Sequence, residues 1–194
     1  MRKVSPRSDT PKPSLPPNAE LRDATSADLD ALAALSIEVW LDTYALDGIP
    51  DNHARHVLRT YSPQAFAGVL QDPDKRLIVC RTDAGLLGYL QLDLEAKPVQ
   101  PGSGTVEIET LYVRRHHQGM GVGCKLLEAA CRLVRQAGQP KFFLTVYEGN
   151  EKAIGFYKAQ GLIEEGRWTF DFEGGSAPNL IMTRDLSDAG LKTD

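Results

Sequence analysis

The sequence predicts a mixed α/β fold in which helices cover both faces of a central mixed sheet. Three observations support this prediction. Short apolar runs typical of strands are interspersed with amphipathic helical runs, glycine-containing turns join neighbouring strands, and the composition is that of a globular protein. Of the 194 residues, 42% are hydrophobic and 25% are charged, enough for one domain with a substantial core. The predicted segments follow in the order β-α-α-β-β-β-α-β-α-β-β, which favours helices on both sheet faces.

The chain is expected to form one domain over residues 20–186, between a proline-rich tail at 1–19 and a short tail at 187–194. The first tail can bury little apolar surface, so we expect it to be disordered. No apolar run approaches the roughly 20 residues of a membrane-spanning helix, and no secretory signal is evident, so we expect a cytoplasmic protein without a membrane partner. The cysteines lack metal-binding spacing, and the net charge of −4 argues against nucleic acid while suiting a cationic substrate.

In the first half of the domain, we expect a short strand, two helices and a hairpin. Thr25 and Asp28 have the spacing of a capping box, and apolar residues recur at helical spacing after them. Gly48 and Pro50 end this helix, and turn-forming residues at 82–85 join two strands. The predicted bounds are 20–22 for the first strand, about 25–44 and 52–70 for the helices, and 77–80 and 86–94 for the hairpin.

The second half is expected to continue the sheet around two further helices. Leu126, Ala130 and Val134 mark the apolar face of a helix that ends before Gly138. Gly174 and Gly175 supply the turn of a C-terminal hairpin. The predicted strands are 105–113, 141–147, 163–172 and 179–184, and the second helix covers 151–160.

A glycine-rich segment, 118–123, connects the strand at 105–113 to the helix that follows. Such a loop exposes backbone N–H groups at the positive end of a helix dipole, where phosphates bind readily. A P-loop would need Gly-Lys-Ser/Thr, which Gly123-Cys124-Lys125 lacks, and a dinucleotide fingerprint would follow the strand directly. Glycines that only allow a tight turn remain an alternative on this evidence.

A second motif follows at Asn150, Ala153, Phe156 and Tyr157, which match N-x-x-A-x-x-F-Y, while the loop matches Q-x-x-G-x-G. In these motifs the chain resembles the GNAT family of N-acetyltransferases, which use acetyl-CoA. Within the family it is most similar to bacterial polyamine (spermidine/spermine) acetyltransferases of the Pai type. The segments that carry this similarity are 40–44, 107–113, 147–154 and 180–183.

The resemblance implies a mostly antiparallel sheet of about six to seven strands, acetyl-CoA as cosubstrate, no metal, and a small-molecule amine as partner. A homodimer is left open. Amides of the loop would hold the pyrophosphate, with added charge from Lys125, and Asn150 would hydrogen-bond the pantetheine arm. Tyr157 would protonate the leaving thiolate, although it could instead be a core residue. The implied cofactor-binding residues are Leu111, Tyr112, Val113, Gln118, Gly119, Met120, Gly121, Val122, Gly123, Cys124, Lys125, Asn150, Ala153 and Phe156.

Two carboxylates are candidates for the proton acceptor that amine acetylation needs. An alkylamine has a reference pKa near 10.4, so keeping it neutral at pH 7 costs about 4–5 kcal/mol. Glu107 and Glu109 lie two residues apart on one predicted strand and therefore on one sheet face. Either could instead be solvated or pair with Arg or Lys.

The end of the first helix is where family members often build the acceptor pocket. By this resemblance Trp40 and Tyr44 would line the pocket and Asp42 would attract a cation, although Trp40 and Tyr44 could simply pack together. His53 and His56 could share a helix face, but without a further ligand we expect no metal site. Two other functions remain open: a protein lysine or N-terminal acetyltransferase, and a non-catalytic acyl-CoA-binding regulator.

Overall fold

The computed structural model describes residues 15–172 and 175–187 of the chain. Most of the tail predicted at 1–19, the hairpin turn at 173–174 and nearly all of the tail predicted at 187–194 lie outside the described residues. The helices are α1 (Leu29–Tyr44), α2 (Asp51–Thr60), α3 (Pro63–Gln71), α4 (Val122–Gln136) and α5 (Glu151–Ala159). The strands are β1 (Glu20–Asp23), β2 (Lys75–Thr82), β3 (Gly85–Asp93), β4 (Glu107–Val113), β5 (Lys141–Tyr147), β6 (Ile163–Phe172) and β7 (Gly175–Asp185).

The strands form one sheet in the order β1-β2-β3-β4-β5-β7-β6. All neighbouring strands are antiparallel except β4 and β5, which are parallel. The prediction of a mostly antiparallel mixed sheet with helices is therefore confirmed. None of the helices in the described ranges is long and apolar enough to span a membrane.

Two hydrophobic clusters cover the two faces of the sheet. On one face, which we call the α1 face, α1 and α3 pack against Leu77, Val79 and Tyr89. On the other, the α4 face, apolar residues of α4 and α5 pack against inward residues of β2 to β5 and β7. Because side chains alternate along a strand, the two clusters assign each sheet residue to one face.

The helix predicted over 52–70 is wrong as one element, because the structure has two helices there. Tyr61 is the C-cap after α2, and Ser62 is the N-cap of α3, where its hydroxyl accepts a hydrogen bond from the Ala65 N–H at 3.2 Å. Pro63 occupies the first position of α3, where a missing N–H is tolerated. The residue before a proline is disfavoured in helical conformation, which explains the break at Ser62.

The predicted capping box is present before α1 and is reinforced by two arginines. Asp28 accepts a hydrogen bond from the Thr25 N–H at 2.9 Å. Arg22 of β1 and Arg81 of β2 bind the same carboxylate at 2.7 and 2.6 Å. Asp28 is only 1% exposed. Hydrogen bonding from Arg22 holds the pKa of this carboxyl well below its usual range, so the ion pair ties α1 to the sheet edge.

Candidate active site

A gap between the parallel strands β4 and β5 is the main feature of the candidate site. Within the described chain, the two strands pair in register only at Glu107 and Phe143, beside the hydrogen bond from the Phe143 N–H to the Val106 oxygen at 2.9 Å. Beyond this point the neighbouring edges of β4 and β5 are no longer joined by a ladder. An open strand edge can bind an extended polar chain by β-type hydrogen bonds. Leu111, Tyr112 and Val113 lie along this open part of β4.

The glycine-rich loop supplies free amides at the start of α4. Gly119 and Gly121 have φ angles of 75° and 83°, in the left-handed region that favours glycine. Gly121 is the N-cap of α4, and the first helical hydrogen bond runs from the Lys125 N–H to the Gly121 oxygen at 3.1 Å. The amides of the first helical turn, Val122 to Cys124, therefore have no partner within the helix. They can bind an anion such as a pyrophosphate, and the helix dipole favours it.

Packing from behind fixes the position of this loop. The Gln118 side chain donates a hydrogen bond to the Val113 oxygen at 3.2 Å, which ties the loop to the end of β4. A Cβ added to Gly123 would lie 3.3 Å from the Phe156 ring, so this glycine allows α4 to pack closely on α5. Lys125 forms an ion pair at 2.8 Å with Glu128, one turn further along α4. The loop therefore offers an anion mainly backbone hydrogen-bond donors.

Helix α5 brings Tyr157 to the α4 face of the sheet. The Asn150 side-chain oxygen caps this helix by accepting the Ala153 N–H at 3.1 Å, which leaves its amide NH₂ available to a ligand. Tyr157 is 8% exposed and belongs to the large core cluster of the α4 face. Burial raises the pKa of its phenol well above the ordinary value. The group therefore stays protonated at neutral pH, as a proton donor must.

The structure separates the two candidate carboxylates of β4. Gln91 pairs with Thr110, and Leu92 pairs with Ile108, so Glu109 is the extra residue of a β-bulge. Its carboxylate is held by the Lys75 ammonium at 2.6 Å and by the Gln91 amide, also at 2.6 Å. Lys75 also binds Asp93 at 2.8 Å. Glu109 is thus an anchored, ion-paired group.

Glu107 differs from Glu109 in its surroundings. Among the described residues, no hydrogen bond or ion pair engages its carboxylate. Its pKa is raised to about 7, chiefly by burial and also by the nearby carboxylates of Glu109 and Asp93, while Lys75 partly offsets these effects. A carboxyl with a pKa near 7 can accept a proton at neutral pH, which makes Glu107 the better candidate base.

An aromatic cluster lies on the α1 face near the open end of the gap. The Trp40 ring lies 4.7 Å from the Tyr44 ring, which lies 5.4 Å from the Tyr147 ring at the end of β5. The Tyr61 and Tyr112 hydroxyls are 3.2 Å apart. Burial raises the pKa of Tyr44 to about 12. Aromatic faces of this kind can make cation–π contacts.

The structure does not bring Asp42 into this cluster. Asp42 is exposed and sits midway between Trp40 and Tyr44 in sequence. Two helical positions correspond to a rotation of about 200°, so a residue between an i, i+4 pair points to the other side of the helix. The acidic groups that influence one another near the gap are Asp93, Glu107 and Glu109, and Lys75 pairs with Asp93 and Glu109.

The sequence analysis missed several residues that the structure gathers around the gap. Lys75, Tyr61 and Tyr147 reach it from β2, the α2–α3 junction and β5. Their positions depend on strand register and helix packing between distant segments. Of these three residues, only Tyr147 could have been predicted from its neighbours in sequence, because it ends a strand just before the motif that begins at Asn150.

His53 and His56 of α2 both pack against Trp40, with ring centroids 5.1 and 5.0 Å from it. Across the residues that the structure describes, no three His, Cys, Asp or Glu side chains are grouped so that they could hold a metal ion. The two histidines therefore contribute ring contacts beside the aromatic cluster.

Comparison with known proteins identifies relatives of this chain. Residues 36–162 match the model of the acetyltransferase (GNAT) family. An uncharacterized N-acetyltransferase of Lactobacillus delbrueckii subsp. lactis is 31% identical over 136 residues, which cover 70% of this chain and 79% of that protein. A thialysine N-epsilon-acetyltransferase of Sus scrofa is 27% identical over 146 residues, 72% of this chain and 78% of that protein.

Two solved structures share the fold. The PaiA N-acetyltransferase of Thermoplasma acidophilum, in complex with coenzyme A, aligns with a TM-score of 0.67 at 21% identity, covering 86% of this chain and 98% of that one. A mutant of the spermidine N-acetyltransferase SpeG of Vibrio cholerae aligns with a TM-score of 0.65 at 19% identity, covering 91% and 99%. At these identities the likeness concerns the fold.

Proposed function

The chain belongs to the acetyltransferase (GNAT) family, and we propose that it acetylates a primary amine of a small cationic, polyamine-like substrate by direct attack in a ternary complex with acetyl-CoA. The observation that carries this proposal is Glu107, a half-buried carboxylate with a pKa near 7 at the start of the gap between β4 and β5. Its setting suits a base for an ammonium substrate.

Acetyl-CoA would supply the acetyl group as an activated thioester. The first-turn amides of α4 would hold its pyrophosphate, and the open edge of β4 would bind the pantetheine amides. Support for this assignment comes from the left-handed glycines at 119 and 121 and from the single pairing position between β4 and β5. Both features leave backbone polar groups available for a ligand.

The acceptor amine would approach from the α1 face. The carboxylates of Asp93, Glu107 and Glu109 favour a cation there, and the aromatic rings offer cation–π contacts. Glu107 would take up the proton that the ammonium loses, directly or through water. Tyr157, from the α4 face, would donate its phenolic proton to the leaving sulfur. The two groups would then act from opposite faces of the sheet.

The test is release of free thiol from acetyl-CoA in the presence of a panel of amines and peptides. We expect spermidine and related polyamines to drive thiol release, and lysine-containing peptides to do so poorly. Release with peptides alone would favour a protein acetyltransferase. A folded protein that binds CoA but releases no thiol with any acceptor would favour a non-catalytic regulator.

A further inference from the structure

Asn179 of β7 is a buried polar residue without an assigned role. It is 5% exposed, and within the described chain its side-chain oxygen has no hydrogen-bond partner. Buried amide oxygens in native proteins are nearly always hydrogen-bonded, because an unmade bond there is destabilising. The Asn179 oxygen is therefore free to accept a hydrogen bond from a ligand, and its surroundings decide whether a ligand can reach it.

The register of the sheet places Asn179 beside the aromatic cluster. Asn179 pairs with Tyr147 of β5 on one side and with Trp168 of β6 on the other, so the three residues share one face. Tyr147 contacts the Tyr44 ring of α1, which identifies this as the α1 face. Asn179 therefore lies on the face from which the acceptor would approach.

Tyr147 is fixed in this position by its own turn. A Cβ added to Gly149 would lie 2.6 Å from the ring of Tyr147, so the ring packs directly against the backbone of this glycine. On its other side the ring contacts Tyr44. Packing thus fixes the Tyr147 ring beside Asn179. An amide oxygen next to aromatic rings is a suitable site for an ammonium group.

The site lies well away from the candidate base. Glu107 of β4 pairs with Phe143 of β5. Asn179 of β7 pairs with Tyr147, four residues further along β5. From strand rise and spacing, the Cα atoms of Glu107 and Asn179 are roughly 15 Å apart. An extended diamine can place one ammonium near each residue, whereas a monoamine of the same length has no group to bind at Asn179.

We propose that Asn179, with Tyr44 and Tyr147, binds the second ammonium group of a diamine acceptor and so sets a preference for diamines over monoamines. This inference rests on the proposed function. The Asn179 oxygen accepts a hydrogen bond from the distal ammonium while the proximal amine lies near Glu107. The sequence relationship to amine acetyltransferases does not by itself assign this anchor.

The test compares diaminohexane with hexylamine, which differ only in the second amine, in wild type and Asn179→Leu. The leucine replaces the amide with an apolar group of similar size. We expect KM for diaminohexane to rise about 10–100-fold, the usual effect of losing a hydrogen bond to a charged group, and KM for hexylamine to change less than about twofold. Thermal stability should not fall, because the amide oxygen has no partner to lose.

A matched control is Thr183→Val on the same strand and face. Thr183 is 1% exposed and its hydroxyl is likewise unpartnered within the described residues, but it pairs with Phe143, far from Tyr147. This variant should keep the wild-type preference for the diamine. Asn179→Asp, which adds a charge, should lower KM for the diamine.

Four results would overturn the inference. If Asn179→Leu keeps the wild-type diamine preference, or if wild type prefers hexylamine, Asn179 is not the distal anchor, although the proposed acetylation still stands. If Asn179→Leu unfolds at clearly lower temperature, the residue is structural. Wild-type protein that binds CoA and acetylates no amine would remove both the inference and the proposed function.

Discussion

Glu107→Gln removes the carboxylate that we propose as the proton acceptor, and it should change the pH dependence of the reaction. The pKa of Glu107 is raised to about 7, chiefly by burial. In wild type, kcat/KM should rise with unit slope below about pH 7 as Glu107 loses its proton, and then level off while the amine remains an ammonium. In the variant no carboxylate accepts the proton, so the rate should depend on free amine and rise toward pH 10.

The magnitude follows from the fraction of free amine. With an amine pKa near 10.4, only about one molecule in 2,500 is neutral at pH 7, which sets an upper limit on the loss. General-base assistance is typically worth about 10²–10⁴-fold, so we expect a loss of about 10²–10³-fold at pH 7 that shrinks in alkali. The assay measures thiol release at saturating acetyl-CoA and a low concentration of amine. The pH is varied from about 6 to about 10, because this range runs from below the pKa of Glu107 to near that of the amine.

Two neighbouring substitutions should move the same ionisation in opposite directions. Lys75→Met removes the cation that lowers the pKa of Glu107, so the rising limb should shift to higher pH. Glu109→Gln removes a carboxylate that raises the pKa of Glu107. The rising part of the pH–rate profile should therefore shift to lower pH, and activity should remain. A wild-type profile in Glu107→Gln, or an unmoved limb in both other variants, would refute the assignment of Glu107 as the base.

Three further predictions concern the cofactor loop, the phenol and the capping network. Gly121→Asp puts a side chain at a φ of 83° and a charge beside the free amides, so CoA affinity by calorimetry should fall at least about tenfold; unchanged affinity in a folded variant would contradict the phosphate assignment. Tyr157→Phe should lower kcat by about 10²–10⁴-fold with little change in CoA affinity, and an undiminished kcat with chemistry rate-limiting would leave Tyr157 a core residue. Asp28→Asn should lower the free energy of unfolding by about 2–3 kcal/mol, since it breaks a largely buried pair with Arg22 and Arg81. Folding lowers the pKa of Asp28, so the ion pair stabilises the protein above the unfolded-state pKa near 3.9, and this stabilisation is lost as the pH falls through the lower folded-state pKa. An equal effect of the mutation on stability at neutral and at strongly acidic pH would contradict this prediction.

Much of the fold was accessible from the sequence, because its signals are local. Strand alternation, the helix start at Thr25 and Asp28, and the glycine loop before α4 each depend on residues a few positions apart. The break at Ser62 was also encoded locally, by a proline after a capping serine, but the weak periodicity of 52–70 obscured it.

The site was only partly accessible, because it depends on pairing between distant strands. The bulge at Glu109 is defined by its register with β3, and the partners of Glu109 come from β2 and β3. Nothing near Glu107 in sequence distinguishes it from Glu109. The exposure of Asp42 could have been anticipated, since it lies between two residues that share a helix face.

Asn179 illustrates the same limit. Its burial and its place beside Tyr147 follow from the pairing of β5, β7 and β6, which joins segments that are far apart in the chain. In sequence it is only the first residue of the strand predicted at 179–184, directly after a proline, and nothing near it marks a binding role. Only the assembled sheet turns this residue into a candidate for substrate recognition.

We propose that this chain transfers the acetyl group of acetyl-CoA directly to an amine. Incubation with acetyl-CoA carrying an isotopically labelled acetyl group and with spermidine, followed by mass spectrometry, tests it most directly. We expect labelled acetylspermidine and free CoA in equal amounts, with no label on the protein. Free CoA without an acetylated amine, labelled protein on the path to product, or no reaction by a protein that binds CoA would contradict the account.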